Sequence, residues 1–331
     1  MEMSREIHDT ANRLFGDVIT PEVQERAERG DLDPAIWDGM NELGLGLVMV
    51  PEAQGGIGGG LPEAAAILQA AGEHAVPGPV LEWVLGNALL SRAGETTCEG
   101  PLALTFHTST SGDAGAVLRD VPWLRQAQRC LVVGEAGLAL RDVQQLTVED
   151  EVPDASGEPI ARTVLPTDVD WHTLEGWDKE ACLRRAALLR GAQMLGAMQW
   201  CLARTVAYTQ ERKQFGREIG KFQVVQQTMA EMASAVVASQ VILDAAIADP
   251  DNVVMVAAAR SRLGDAVDTV FAHAHQVHGA IGFSHEYVLH FRTRRLMAWR
   301  DQFGTVAEWR RRLSGCFEGA SADGVWPVIA G

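Results

Sequence analysis

The chain has 331 residues, of which 47% are hydrophobic and 22% charged, the make-up of a globular protein large enough to bury a full core. Lys and Arg number 28 against 44 Asp and Glu, a formal charge of -16. That balance argues against a nucleic-acid partner, which would need a basic face, and against docking on an anionic membrane surface.

The first six residues, Met1 to Glu6, lack the basic stretch and apolar run of a signal peptide. The purest apolar run, Val253 to Ala259, is too short to span a bilayer. Five scattered cysteines (98, 130, 182, 201 and 316) form no C-x-x-C pair, so a reducing, cytoplasmic setting is expected, with most thiols buried as small apolar groups.

The first third reads as helices. Thr20-Pro21-Glu22 is a start signal: a hydroxyl cap, a proline whose missing N–H costs nothing, and an acid near the positive end. Asp33-Pro34 repeats it. Trp37, Met40 and Leu43 follow on one face, and Gly44 is placed to end that helix. Gly55 to Gly60 is a loop with neither a preceding strand nor a phosphate-facing lysine. Further helices are expected over about 61–73 and 80–93.

Near Gly100 the pattern turns to short strands at 101–106, 130–133, 137–140, 145–148 and 160–164, broken by Gly, Asp and Pro. From Asp178 it is helical again. Leu195, Met198, Leu202 and Val206 share a face, as do Val225, Met229, Met232 and Val236, and then Leu263, Val267, Val270 and Ala274. Spacings of three and four over several turns are those of a bundle. The fold class expected is α+β: an N-terminal helical domain (1–99), a shortened central β domain (100–177) and a C-terminal four-helix bundle (178–331).

Two segments carry chemistry. The first runs from Tyr208 through Arg212-Lys213-Gln214-Phe215-Gly216 to Ile219-Gly220-Lys221-Phe222-Gln223. The second is Gln276-Val277-His278-Gly279-Ala280-Ile281-Gly282-Phe283, followed by Glu286-Tyr287. Arg212 offers a planar guanidinium suited to two phosphate oxygens. Gln214 and Gln223 add amide donors, Phe215 an apolar face, and the glycines close backbone approach. Singly, such residues are ordinary solvated surface or helix stops; together they read as an anion site. His273, His275 and His278 lack the i, i+4 spacing of a zinc helix, and no metal is expected.

The combination R-x-Q-F-G, I-G-x-F-Q, Q-x-H-G-x-x-G-F and E-Y resembles the acyl-CoA dehydrogenase family, as does Val50-Pro51-Glu52 before Gly55-Gly56. The resemblance implies FAD, an acyl-CoA substrate, and a dehydrogenation that introduces an α,β double bond. It also implies that Arg212, Gln214, Phe215, Gln223, Gln276 and Gly279 reach across a subunit interface to the pyrophosphate and adenine half of a neighbour's FAD. Ala280 stands where a second glycine is common.

The family's base is a glutamate, and the two positions where it is found fall here on Phe303 and Ala186. Neither takes a proton. Asp301 is the one weak candidate for a displaced base. The family's L-T-E-P flavin support reads Leu104-Thr105-Phe106-His107, and no G-S-D follows it. Such a chain is expected to be the smaller subunit of a two-component enzyme, in a heterodimer or heterotetramer with a second dehydrogenase-like chain, of the kind that acts on fatty-acyl or steroid side-chain thioesters. The alternatives are a self-sufficient homo-oligomer using Asp301, a flavin monooxygenase, and a scaffold that has lost flavin.

Overall fold

The computed structural model describes residues 2–107, 117–166 and 168–318. Five helices open the chain: α1 (Glu2–Val18), α2 (Pro21–Ala27), α3 (Pro34–Glu42), α4 (Leu61–Glu73) and α5 (Val80–Arg92). The predicted caps form. Thr20 Oγ1 accepts from the Val23 amide at 3.3 Å and Asp33 Oδ1 from that of Ala35 at 3.0 Å, satisfying amides that have no partner within the helix. Gly44, at φ 66°, ends α3 in the left-handed conformation. Leu43 departs from expectation: Trp37 and Met40 are buried, but Leu43, in the cap, is exposed.

Among the described residues seven strands follow: β1 (Leu102–Phe106), β2 (Val117–Pro122), β3 (Arg129–Gly134), β4 (Gly137–Asp142), β5 (Val148–Pro153), β6 (Pro159–Val164) and β7 (Trp171–His172). They form one sheet in the order β1-β3-β4-β7 and another in the order β2-β6-β5. Side chains alternate between faces. Ala103, Cys130, Val132 and Ala139 pack with Leu118, Val121 and Ala161 of the second sheet in a small core. Leu102, Leu104, Leu131, Val133 and Leu138 turn the other way and join the main core.

The strand expected at 145–148 begins only at Val148, because Val143–Gln145 is a 3₁₀ turn closed by a bond from Leu146 N to Val143 O. β2 carries no run of apolar residues; its Arg119 and Asp120 masked it, and its register slips between Leu118 and Val121.

The rest is helical: α6 (Lys179–Glu211), a hairpin of β8 (Lys213–Gln214) and β9 (Arg217–Glu218), then α7 (Gln223–Ala248), α8 (Val253–His278), α9 (Leu289–Trp299) and α10 (Val306–Gly315). Arg184 and Arg185, near the start of α6, bond Asp251 just before α8. At the far end Tyr208 of α6 stacks on His278 of α8. Helices α6 and α8 therefore run parallel, with α7 returning between them. By length and composition α7 would suffice to cross a membrane; here it packs along α6 and α8.

The main core is continuous from α1 to α10. Its tightest seam is the crossing of α4 and α6. A Cβ on Gly72 would lie 1.9 Å from Gln193 O, and one on Gly196 would lie 1.9 Å from Gln69 O. The two backbones touch because neither glycine has a side chain.

Candidate functional site

Both motifs lie at one end of the bundle. Helix α6 ends at Glu211, and Arg212 turns extended to lead into β8. Lys213 pairs with Glu218 and Gln214 with Arg217, leaving Phe215 and Gly216 as a two-residue turn. Both have positive φ, 50° and 78°, as a type I′ turn requires. Glycine adopts that geometry freely; for Phe215 it costs about 1–2 kcal/mol. The ring gains no burial in return. It is 91% exposed and meets only Phe222 edge-on, with centroids 6.2 Å apart.

The α8 C-terminus contributes the second motif. Gln276 faces solvent in the last turn and His278 is buried. Gly279 then reverses the chain at φ 62° and ψ -141°, a conformation only glycine adopts readily. Nothing lies within 4 Å of a Cβ built on Gly279 or on Gly216, so a ligand can approach either backbone. Gly282 is different: a Cβ there would lie 3.0 Å from that of His278, a packing demand. Ala280 is exposed.

Arg212, Gln214, Phe215, Gln223, Gln276 and Gly279 are thus all exposed and gathered at one end of the bundle. Between 211 and 221 four cationic side chains face two acidic ones, in a chain of net charge -16. This is a local anion-attracting patch on an acidic protein. A guanidinium, amide donors, free backbone and an exposed aromatic ring fit the anionic half of a dinucleotide.

The three histidines part company. His273 faces Glu231 of α7 at 3.0 Å, His275 meets Thr293 of α9 at 3.0 Å, and His278 meets Tyr287 at 3.1 Å.

A second feature is a cavity of about 1020 Å³ between β1, the start of α6, the 301–304 turn and α10. Leu104, Phe106, Leu183, Met297, Phe303 and Trp309 supply its apolar wall. The family resemblance would put a flavin-supporting segment in β1 and a base position at Phe303, and the fold brings β1 and Phe303 together. Phe303 sits at φ 56°. Its ring meets Phe106 edge-on at 5.8 Å and lies 5.6 Å from the Arg190 guanidinium. The turn is held from behind by Arg260, which is 2% exposed and donates to the carbonyls of Arg300, Gln302 and Gly304 at 3.2, 2.9 and 3.5 Å. Burial pulls the Arg260 pKa down to about 10. Ala186, the other base position, is fully buried in the core. Asp301 does line the cavity, but its carboxylate is 3.1 Å from Arg300, which also holds Asp268 at 2.6 Å.

Sequence reasoning missed Arg190 and Arg260, since arginine normally reads as surface. It also missed Arg204, although Arg204 and Tyr208 lie i, i+4 on α6 and so share a face.

Models of the acyl-CoA dehydrogenase N-terminal and C-terminal domains match residues 1–96 and 176–306. Among curated relatives, acyl-CoA dehydrogenase IpdE2 of Mycolicibacterium smegmatis is 28% identical over 318 residues, covering 95% of this chain and 98% of that protein. Acyl-CoA dehydrogenase FadE34 of Mycobacterium tuberculosis is 30% identical over 310 residues, covering 87% of this chain and 43% of that longer protein. Among solved structures, the ChsE4-ChsE5 complex from Mycobacterium tuberculosis aligns with TM-score 0.86 at 20% identity, over 97% of this chain and 99% of the matched one. A variant of the Tcur3481-Tcur3483 steroid ACAD aligns with TM-score 0.85 at 23% identity, over 96% and 99%. The order of elements, the two motifs and these matches agree: the chain belongs to the acyl-CoA dehydrogenase family.

Proposed function

We propose that this chain is a subunit of an FAD-dependent acyl-CoA dehydrogenase that completes a flavin site held mainly by a partner chain. One contrast carries the reading. The residues suited to the anionic half of FAD are exposed together, whereas the chain's own base position is a phenylalanine packed on β1. Arg212 would pair with the pyrophosphate, Gln214, Gln223 and Gln276 would donate around it, and Phe215 would cover the adenine. The Gly279 turn would let the backbone close on the dinucleotide. When bound, FAD would supply the hydride acceptor, and a carboxylate on the partner would take the proton next to the thioester carbonyl. This chain orients the dinucleotide and excludes water from its outer half.

The ChsE4-ChsE5 complex and the Tcur3481-Tcur3483 steroid ACAD provide two-chain precedents on this fold. The latter directs the first substrate trials to steroid side-chain CoA thioesters. Arg212→Ala in the assembled enzyme should weaken FAD retention about ten- to a hundredfold, the worth of a charge-assisted bond. Unchanged flavin content would remove Arg212 from the site. The second reading, a self-sufficient enzyme, rests on Asp301 lining the cavity, and it requires the chain to bind and reduce FAD alone.

A further inference from the structure

The exposed motif residues hang on a hydrogen-bond chain to which none of them belongs. His278 Nδ1 lies 2.8 Å from the Ala274 carbonyl oxygen. A carbonyl only accepts, so Nδ1 carries the proton. Arg204 Nε donates to the Tyr287 hydroxyl oxygen at 2.8 Å, and a guanidinium cannot accept. The hydroxyl proton is then free for His278 Nε2, 3.1 Å away. With a neutral imidazole every bond has one direction: Arg204 to Tyr287, Tyr287 to His278, His278 to Ala274. Burial, aided by the Arg204 charge and opposed by the bond to Ala274, holds the ring's pKa below the usual histidine range and so favours the neutral form.

The chain joins both motifs. Tyr208, four residues before Arg212, stacks on the His278 ring with centroids 4.4 Å apart and planes 26° apart. Arg204 also reaches Glu211, next to Arg212, at 3.5 Å. His278 directly precedes Gly279. One imidazole is therefore gripped by its own helix, by the loop before α9 and by the end of α6.

We infer that Tyr287, His278 and Arg204 are positioning residues that set the Gly279 turn and the root of the β8–β9 hairpin for the dinucleotide, without touching it. This rests on the shared flavin site proposed above. Tyr287→Phe removes one hydroxyl and leaves the ring to pack, so the fold survives while the chain of bonds is cut between Arg204 and His278. Arg204→Met cuts the same chain one step earlier.

The test measures FAD dissociation from the assembled enzyme, turnover at saturating FAD, and thermal unfolding, for Tyr287→Phe, Arg204→Met, their double variant and Arg212→Ala. The expected result is a loss of FAD affinity of about tenfold in each single variant. The double variant should lose little more than either single one, and turnover should be near normal once FAD saturates. Full affinity in Tyr287→Phe and Arg204→Met, with loss only in Arg212→Ala, overturns the inference and leaves the shared site standing. Losses that add fully in the double variant overturn it as well, since Arg204, Tyr287 and His278 form one chain of bonds and the exposed Arg204–Glu211 contact at 3.5 Å contributes little beside it. Full affinity in Arg212→Ala sinks the shared site itself.

Discussion

The ring of Phe303 meets that of Phe106 edge-on, 5.8 Å between centroids, where the family resemblance puts a proton-accepting glutamate facing the flavin. Aromatic pairs in this geometry contribute about 0.5–1.5 kcal/mol beyond their buried area. Arg260, fixed to three carbonyls of the same turn, keeps the pair in register. Both rings line the cavity, and neither can accept a proton.

A first prediction concerns the remaining carboxylate. Asp301→Asn in the assembled enzyme should leave turnover near the unmodified level, because Asp301 serves Arg300. A fall on the order of 100-fold or more, the loss expected for a general base, would place the base on this chain.

A second concerns the buried ion pair beside the Phe303 ring. Arg190 Nη2 donates to Glu82 Oε1 at 2.7 Å, and their side chains are 5% and 2% exposed. Glu82→Ala strands the guanidinium in the core and should cost about 3–5 kcal/mol of stability, read from the urea midpoint. A midpoint that does not move would mean that water or another acid reaches Arg190.

The α4–α6 seam gives a third. Gly196→Ala drives a methyl against Gln69 O, and the backbone cannot yield as a side-chain tip would. A loss of about 1–3 kcal/mol, or more, is expected. Gly72→Ala strains the same contact from the other helix, so the two losses should not add. Wild-type stability in Gly196→Ala would show that the helices slide apart without cost.

The fourth is a pH dependence. Burial is the leading cause that lowers the pKa values of His74, His275, His278 and His290 below the usual 6.5. Below about pH 6.5 the unfolded chain takes up protons that these folded rings refuse. Their contribution is full above that pH and declines as pH falls toward the folded values. His8, raised chiefly by its hydrogen bond to Glu73, works the other way, adding stability below 6.5 that is lost as pH rises through its folded value. Four groups oppose one, so the urea midpoint should drop between pH 7.5 and 5.5. A flat or rising midpoint would contradict the burial of these rings.

The legible parts of this molecule were those written in local pattern. The faces of α6, α7 and α8 followed from spacings of three and four, and the helix starts at Thr20 and Asp33 from single caps. The two exposed motif segments at one end of the bundle were legible because their glycines and their amide and guanidinium donors fall within short runs. What stayed hidden was long-range or disguised by charge. Arg204 and Tyr287 stand 83 positions apart, and nothing local announces their bond. Strand β2 sets Arg119 and Asp120 between its valines, and β5 sets three acids between Val148 and Val152. Glu149 faces Arg162 on the neighbouring strand and Glu151 faces Arg125, so pairing across the sheet overrides weak local propensity. Residues 108–116, which follow the Leu104-Thr105-Phe106-His107 segment, lie outside the described residues.

The most direct test is the flavin absorbance of this chain, purified alone with excess FAD and then co-expressed with a dehydrogenase-like partner chain. The account predicts no bound flavin in the first preparation. It predicts a yellow complex in the second, bleached by acyl-CoA. Yellow protein from this chain alone, bleached by acyl-CoA, would contradict it and return the base to Asp301.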